Sequence, residues 1–178
     1  MNKDVEKILF TKDEIDAIVS SLANKISNDY RGRKLCLLCV LKGSLIFCAD
    51  LMRKIDIPLE LMCVSASSYK SSTVTSGSVE LGDLKESIEG YDVIIVEDIL
   101  DTGNTLSNLV GFLKKHNPAS VAICTMLDKP SRRKVPLEGD YVGAVIPDEF
   151  VVGYGLDYDQ KYRHLPYIGV LKPEIYNS

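Results

Sequence analysis

Residues 93–105 have the sequence V-I-I-V-E-D-I-L-D-T-G-N-T. Its first half is apolar at nearly every position, the pattern of a strand covered on both faces in a parallel sheet rather than one facing water on alternate residues. After Ile99 the period changes. Leu106, Leu109, Val110 and Leu113 fall at helical spacing, and Asn117-Pro118 stops the helix. The stretch predicts a buried strand, a tight polar loop and a helix, with Glu97, Asp98 and Asp101 gathered where they join.

Working outward, apolar β-type runs recur at 35–41, 59–64, 121–127 and 142–146, with helical patterns or loops between most of them. Towards the N-terminus, Thr11 and Glu14 have the T-x-x-E spacing of a reciprocal helix cap. Apolar residues follow at Ile15, Ile18, Val19, Leu22 and Ile26, so an amphipathic helix is expected. Strands alternating with helices predict α/β architecture around a mostly parallel sheet. Residues 65–78 hold nine Ser or Thr in fourteen and no apolar period, which predicts a mobile surface loop or lid, extending over about 65–82.

A chain of 178 residues suits one domain, and we expect a single domain over 1–178. The net charge of −4 gives no general attraction to nucleic acid or to an anionic membrane, so neither is expected as a partner. No run approaches the roughly 18 apolar residues of a membrane span, and MNKDVEKILF lacks a secretory apolar segment. A cytoplasmic location is the expectation. Cys36, Cys39, Cys48, Cys63 and Cys124 lie mostly in apolar runs and read as buried thiols. Cys36 and Cys39 have C-x-x-C spacing, but three steps along a strand send them to opposite faces.

The join at 97–105 has a physical use in each part. Backbone N–H groups at a helix start are unpaired and carry partial positive charge, so Thr102, Gly103, Asn104 and Thr105 can cradle a phosphate without a lysine. Carboxylates beside that phosphate suit a sugar diol, a positive charge developing on a ribose ring, or a hydrated Mg²⁺. The plainer alternative is that Asp98 and Asp101 cap the following helix. Capping accounts for one carboxylate but not for three beside Thr-Gly-Asn-Thr. Neither GxxxxGK[ST] nor GxGxxG occurs, so the triphosphate and dinucleotide fingerprints are missing.

The run VIIVEDILDTGNT resembles the phosphoribosyl pyrophosphate (PRPP) signature of phosphoribosyltransferases, and the chain resembles the hypoxanthine-guanine branch over nearly its whole length. The resemblance implies the type I fold of that family: a central, mostly parallel twisted sheet flanked by helices, with a small hood built from the termini. It implies that Glu97, Asp98 and 101–105 bind the ribose 5-phosphate, and that Lys42-Gly43 and Arg163 bind pyrophosphate, often with a cis peptide in the 41–44 loop. Ser68 and Tyr69 match the lid that closes over the reacting centre. Lys129 matches the lysine that donates to the purine 6-oxo group, Phe150 the ring that stacks on the base, and Val151 the backbone that pairs with its edge. Asp157 is implied beside these purine-binding residues, Glu97, Asp98 and again Asp157 as Mg²⁺ ligands, Asp101 as the base that takes the N7 proton, and a homodimer or homotetramer as the assembly.

Two positions depart from the common family pattern: Asn104 stands where many relatives carry lysine, and Glu149 where basic residues also occur. Transfer to hypoxanthine, guanine or possibly xanthine is expected. Transfer to another base, such as a pyrimidine, is the nearest rival, disfavoured by Lys129 and the 150–157 run. An RNA-binding role is disfavoured by the acidic pI near 5.2. Arg132, Arg133 and Lys134 read as a solvated turn, and His116 and His164 as structural.

Overall fold

The computed structural model describes residues 2–65 and 87–177. The expected lid, with Ser68 and Tyr69, falls almost wholly outside the described residues.

Five parallel strands form the central sheet: β2 (Leu35–Leu41), β3 (Leu59–Ser65), β4 (Asp92–Leu100), β5 (Ser120–Asp128) and β6 (Tyr141–Val145). Their order is β3-β2-β4-β5-β6, so the strand quoted first is the middle one. Its ladders run in constant register, from Leu35↔Asp92 to Cys39↔Val96 on one side and from Asp92↔Ser120 to Leu100↔Asp128 on the other. Pairing on both edges and burial on both faces explain why Val93, Ile94, Ile95 and Val96 all had to be apolar.

Alternation along β2 divides the core in two. Leu35, Leu37 and Cys39 pack with α1 (Lys12–Asp29) and α2 (Leu45–Lys54), whereas Cys36, Leu38 and Val40 pack with α3 (Asn104–Leu113). Cys36 and Cys39 therefore face opposite ways, as their spacing required. The expected cap of α1 forms: Thr11 Oγ1 accepts from Glu14 N at 3.3 Å, and Glu14 Oε2 accepts from Thr11 N at 2.8 Å. After α3 a short 3-10 turn (Lys114–His116) leads to Asn117, whose left-handed φ of 53° ends the run.

A second, antiparallel sheet of order β1-β8-β7 joins the two ends of the chain: β1 (Val5–Phe10), β7 (Val151–Val152) and β8 (Ile168–Leu171). A four-residue helix, α4 (Pro173–Tyr176), follows. This is the hood that the resemblance implied. One expectation needs correction. Cys63 is exposed, because β3 is the edge strand, where the packed helix face no longer covers it. All five cysteines are free thiols.

Candidate active site

From β2 the chain moves outward to β3, then returns to β4 and proceeds through β5 to β6. The order thus reverses between β2 and β4, and in open parallel sheets such a reversal opens a crevice at the carboxyl ends of the strands. Lys42-Gly43 follow β2, Glu97 to Thr105 end β4, and Lys129 follows β5, so three separate segments arrive at that edge.

The strand is longer than its sequence pattern suggested. Glu97 and Asp98 lie within β4, whose pairing with β5 continues to Leu100, and the polar loop shrinks to residues 101–103. Gly103 has a φ of 82°, a left-handed turn into α3 that favours glycine. Beside the start of α3 lies a cavity of about 240 Å³ whose lining includes Glu97, Asp98, Asp101, Thr102, Gly103 and Thr105. A larger cavity of about 580 Å³ between α1, α2 and the hood, with Asp13, Asp16, Asp50 and His164 in its lining, includes none of these residues.

Close backbone approach ties the crevice together. A Cβ on Gly43 would lie 1.6 Å from Asp98 Oδ2, and one on Gly155 would lie 2.0 Å from the Gly43 carbonyl oxygen. Gly155 in turn accepts a 2.7 Å hydrogen bond from Arg163 through its carbonyl, and Arg163 pairs with Asp157 at 2.7 Å. Asp98, Gly43, Gly155, Arg163 and Asp157 therefore form one connected series from β4 to the hood. The Leu41–Lys42 peptide is cis, as the resemblance implied for this loop.

Withdrawal from water and then the adjacent Asp98 charge push the Glu97 carboxyl well above the usual range. Glu97 Oε1 accepts from Asp98 N at 3.3 Å and Asp98 Oδ1 accepts from Ile99 N at 2.8 Å. Among the described residues no three His, Cys, Asp or Glu side chains form a metal cage. A Glu97–Asp98 pair nonetheless fits Mg²⁺, which keeps several waters and takes one or two carboxylates together with substrate oxygens. Asp157 also holds Gln160 N at 2.9 Å besides Arg163, so both its oxygens already have partners.

On the other side of the crevice, Lys129 is buried and donates to the Glu149 carbonyl at 2.6 Å, with Asp148 at 3.7 Å. Phe150 is 38% exposed and stacks on Tyr176, with ring centroids 4.9 Å apart and an interplanar angle of 21°. Tyr158 meets it edge-on at 5.6 Å. Val151 lies in β7, the edge strand of the hood, where half of the backbone polar groups have no neighbouring strand.

Arg132 and Lys134 of the basic run are exposed, as a solvated turn requires, but Arg133 departs from that reading. Arg133 is mostly buried, donating to the carbonyls of Leu100, at 3.0 Å, and Asp101, and pairing with Asp128. Arg132 brings Nε to 2.8 Å from Asp101 Oδ1 and reaches Asp148 at 3.3 Å. The physical reason is register. Leu100 is opposite Asp128, so the chain leaving β5 turns at Pro130 directly beside the chain leaving β4.

A model of the phosphoribosyl transferase domain matches residues 8–159. The hypoxanthine-guanine phosphoribosyltransferase of Streptococcus thermophilus is 48% identical over 179 residues, covering 100% of this chain and 99% of that one. The chain belongs to the hypoxanthine-guanine phosphoribosyltransferase family. A hypoxanthine phosphoribosyltransferase structure from Staphylococcus aureus superposes with a TM-score of 0.90 at 46% identity, covering 98% of this chain and 96% of that one. The bifunctional protein TilS/HprT of Listeria monocytogenes is 48% identical over all of this chain, which spans only 28% of that protein's length.

Of the two departures from the family pattern, Glu149 finds a side-chain partner: it pairs with Lys7 at 2.5 Å, tying the segment before β7 to β1. Asn104 opens α3, and it is its backbone N that lies 3.5 Å from Thr102 Oγ1. Arg132, Arg133, Asp128 and Asp148 are the residues that sequence reasoning passed over. Pro130 signalled a chain reversal, but no local pattern says which strand end that reversal meets. His116 is structural, its Nδ1 lying 3.1 Å from the Phe112 carbonyl oxygen.

Proposed function

We propose that this chain, read as one transferase domain over 1–178, moves the 5-phosphoribosyl group of PRPP to N9 of hypoxanthine or guanine, giving IMP or GMP and pyrophosphate. Family membership supports the reaction class. The observation that carries the site is the junction where Asp98 rests on Gly43 beside the open N-terminus of α3, a place suited to a sugar that bears phosphate at both ends.

In this reading the amides of Thr102 to Thr105 hold the 5-phosphate, while Glu97 and Asp98 accept from the ribose hydroxyls. Lys42, Gly43 and Arg163 bind the pyrophosphate. Lys129 exchanges the Glu149 carbonyl for the 6-oxo group, Phe150 stacks on the purine with the face away from Tyr176, and the Val151 backbone pairs with the base edge. Mg²⁺ held through Glu97, Asp98 and Asp157 would neutralise charge on the leaving pyrophosphate. The C1–O bond breaks, the N9–C1 bond forms on the opposite face, and Asp101 accepts the N7 proton so that the purine does not accumulate positive charge.

The same reading makes the protein a cytoplasmic homodimer or homotetramer. Exposed Leu45 on α2 and Leu61 on β3 supply apolar surface for a second copy, and light scattering on the purified protein tests the assembly. Among the described residues no helix is long and apolar enough to cross a membrane.

The decisive experiment is a spectrophotometric assay of the purified protein with PRPP, Mg²⁺ and hypoxanthine, guanine or xanthine in turn. Nucleotide formation from hypoxanthine or guanine is expected. Formation from none of the three overturns the reading, and preference for xanthine revises its substrate.

A further inference from the structure

Three strands of the central sheet, β4, β5 and β6, lie side by side, and one side chain joins the segments that leave all three. Arg132 sits in the turn after β5; its Nε is 2.8 Å from Asp101, just beyond β4, and its Nη1 is 3.3 Å from both carboxylate oxygens of Asp148, beyond β6. Its neighbour Arg133 holds the backbone of the same loop through the Leu100 and Asp101 carbonyls. The two arginines divide the work, one holding the main chain of residue 101 and the other its carboxylate.

Asp101 Oδ1 is buried against the guanidinium, with Arg132 Nε at ion-pair distance, while the Asp101 side chain as a whole stays 38% exposed and lines the crevice. Arg132 therefore holds the carboxylate by its inner oxygen and leaves the outer side of the group accessible. A group that must accept a proton needs that combination: a fixed direction and an accessible edge. The Arg132 and Asp148 side chains are 46% and 51% exposed, and ion pairs this exposed contribute little to stability. A role in holding the fold is a poor account of the bridge.

We propose that Arg132, anchored by Asp148, is a positioning residue that orients the Asp101 carboxylate for proton transfer from the purine. The inference rests on the reading of Asp101 as the base. It adds residues that touch neither substrate nor metal in that reading: Arg132 acts through Asp101, and Asp148, which also lies 3.7 Å from Lys129, acts through Arg132.

The test is steady-state kinetics on the full chain for Arg132→Gln, Arg132→Lys, Asp148→Asn and the Gln/Asn double variant, with thermal melts alongside. Misplacing a reacting group by about 1 Å can cost on the order of a hundredfold, so Arg132→Gln is expected to lower kcat by roughly ten- to a hundredfold. The KM for PRPP should stay within about twofold and the melting temperature close to that of the parent, as for other exposed ion pairs. Arg132→Lys, which can reach one carboxylate but not bridge two, should recover part of the loss. Asp148→Asn should lower kcat in the parent chain but not further in the Arg132→Gln background, while any change in purine KM through Lys129 should persist in both.

Unchanged kcat in Arg132→Gln, or a loss matched by a comparable fall in melting temperature, overturns the proposal. Fully additive losses in the double variant overturn the anchoring by Asp148. Asp101→Asn keeps this separate from the underlying reading: if that variant turns over normally, Asp101 is not the base, whereas a severe loss there with an active Arg132→Gln rejects only the positioning role.

Discussion

The two walls of the crevice are built differently. The wall at the end of β4 comes from thirteen consecutive residues, 93–105, in which strand, turn and helix start follow one another. The opposite wall is assembled from distant places: Lys129 after β5, Asp148 and Glu149 after β6, Phe150 before β7, and Tyr176 in the C-terminal helix. A contiguous wall inherits its geometry from local hydrogen bonding and tolerates few changes. An assembled wall depends on long-range packing, and its residues can be altered one at a time with graded effects.

The largest expected effect falls on the contiguous wall. Asp101→Asn should lower kcat by ~10²–10⁴-fold, the usual value of general base assistance, while largely sparing the KM for PRPP. Normal turnover by the purified variant would end the assignment. Gly43→Ala comes next, because its methyl would overlap the Asp98 carboxylate at 1.6 Å. Overpacking of this kind costs about 1–3 kcal/mol, and the expected outcome is a lower melting temperature together with a marked loss of activity. An alanine variant as stable and active as the parent would show that the two loops are not locked together.

The assembled wall should respond more gently. Lys129→Ala removes one charge-assisted hydrogen bond, about 1.5–3 kcal/mol, so the KM for hypoxanthine should rise roughly ten- to a hundredfold with little change for PRPP. Tyr176→Ala removes a stacked ring worth about 0.5–1.5 kcal/mol and should raise the purine KM only a few-fold. If Tyr176→Ala proved more damaging than Lys129→Ala, the contrast between graded and rigid walls would fail.

The smallest effect concerns pH. The Glu97 carboxyl is raised in the folded chain, so at acid pH both states hold its proton and it costs nothing. As pH climbs past the ordinary glutamate value of about 4.3, the unfolded chain releases that proton first, and stability is lost until the raised folded value is passed. In metal-free buffer Glu97→Gln should melt like the parent near pH 4 and increasingly above it towards neutrality. A constant difference between the two across that range would contradict the shift.

Much of this was legible in the residues. The central strand, the capped helix α1, the helix after Gly103 and the opposite facing of Cys36 and Cys39 all follow from period and capping chemistry, which act over a few residues. The hood strands were harder to see. β1 and β8 are short, and they become strands by pairing with each other across the length of the chain.

The α/β architecture and the acidic, glycine-opened join at 97–105 follow from local properties of the chain, its burial pattern and the unpaired amides of a helix start. The folded chain alone decided that Arg133 turns inward to Asp128, that the exposed Arg132 meets Asp101, and that Gly43 lies where a side chain would overlap Asp98. Those facts depend on which strand ends lie side by side, and strand order is set by how the whole sheet buries its two faces.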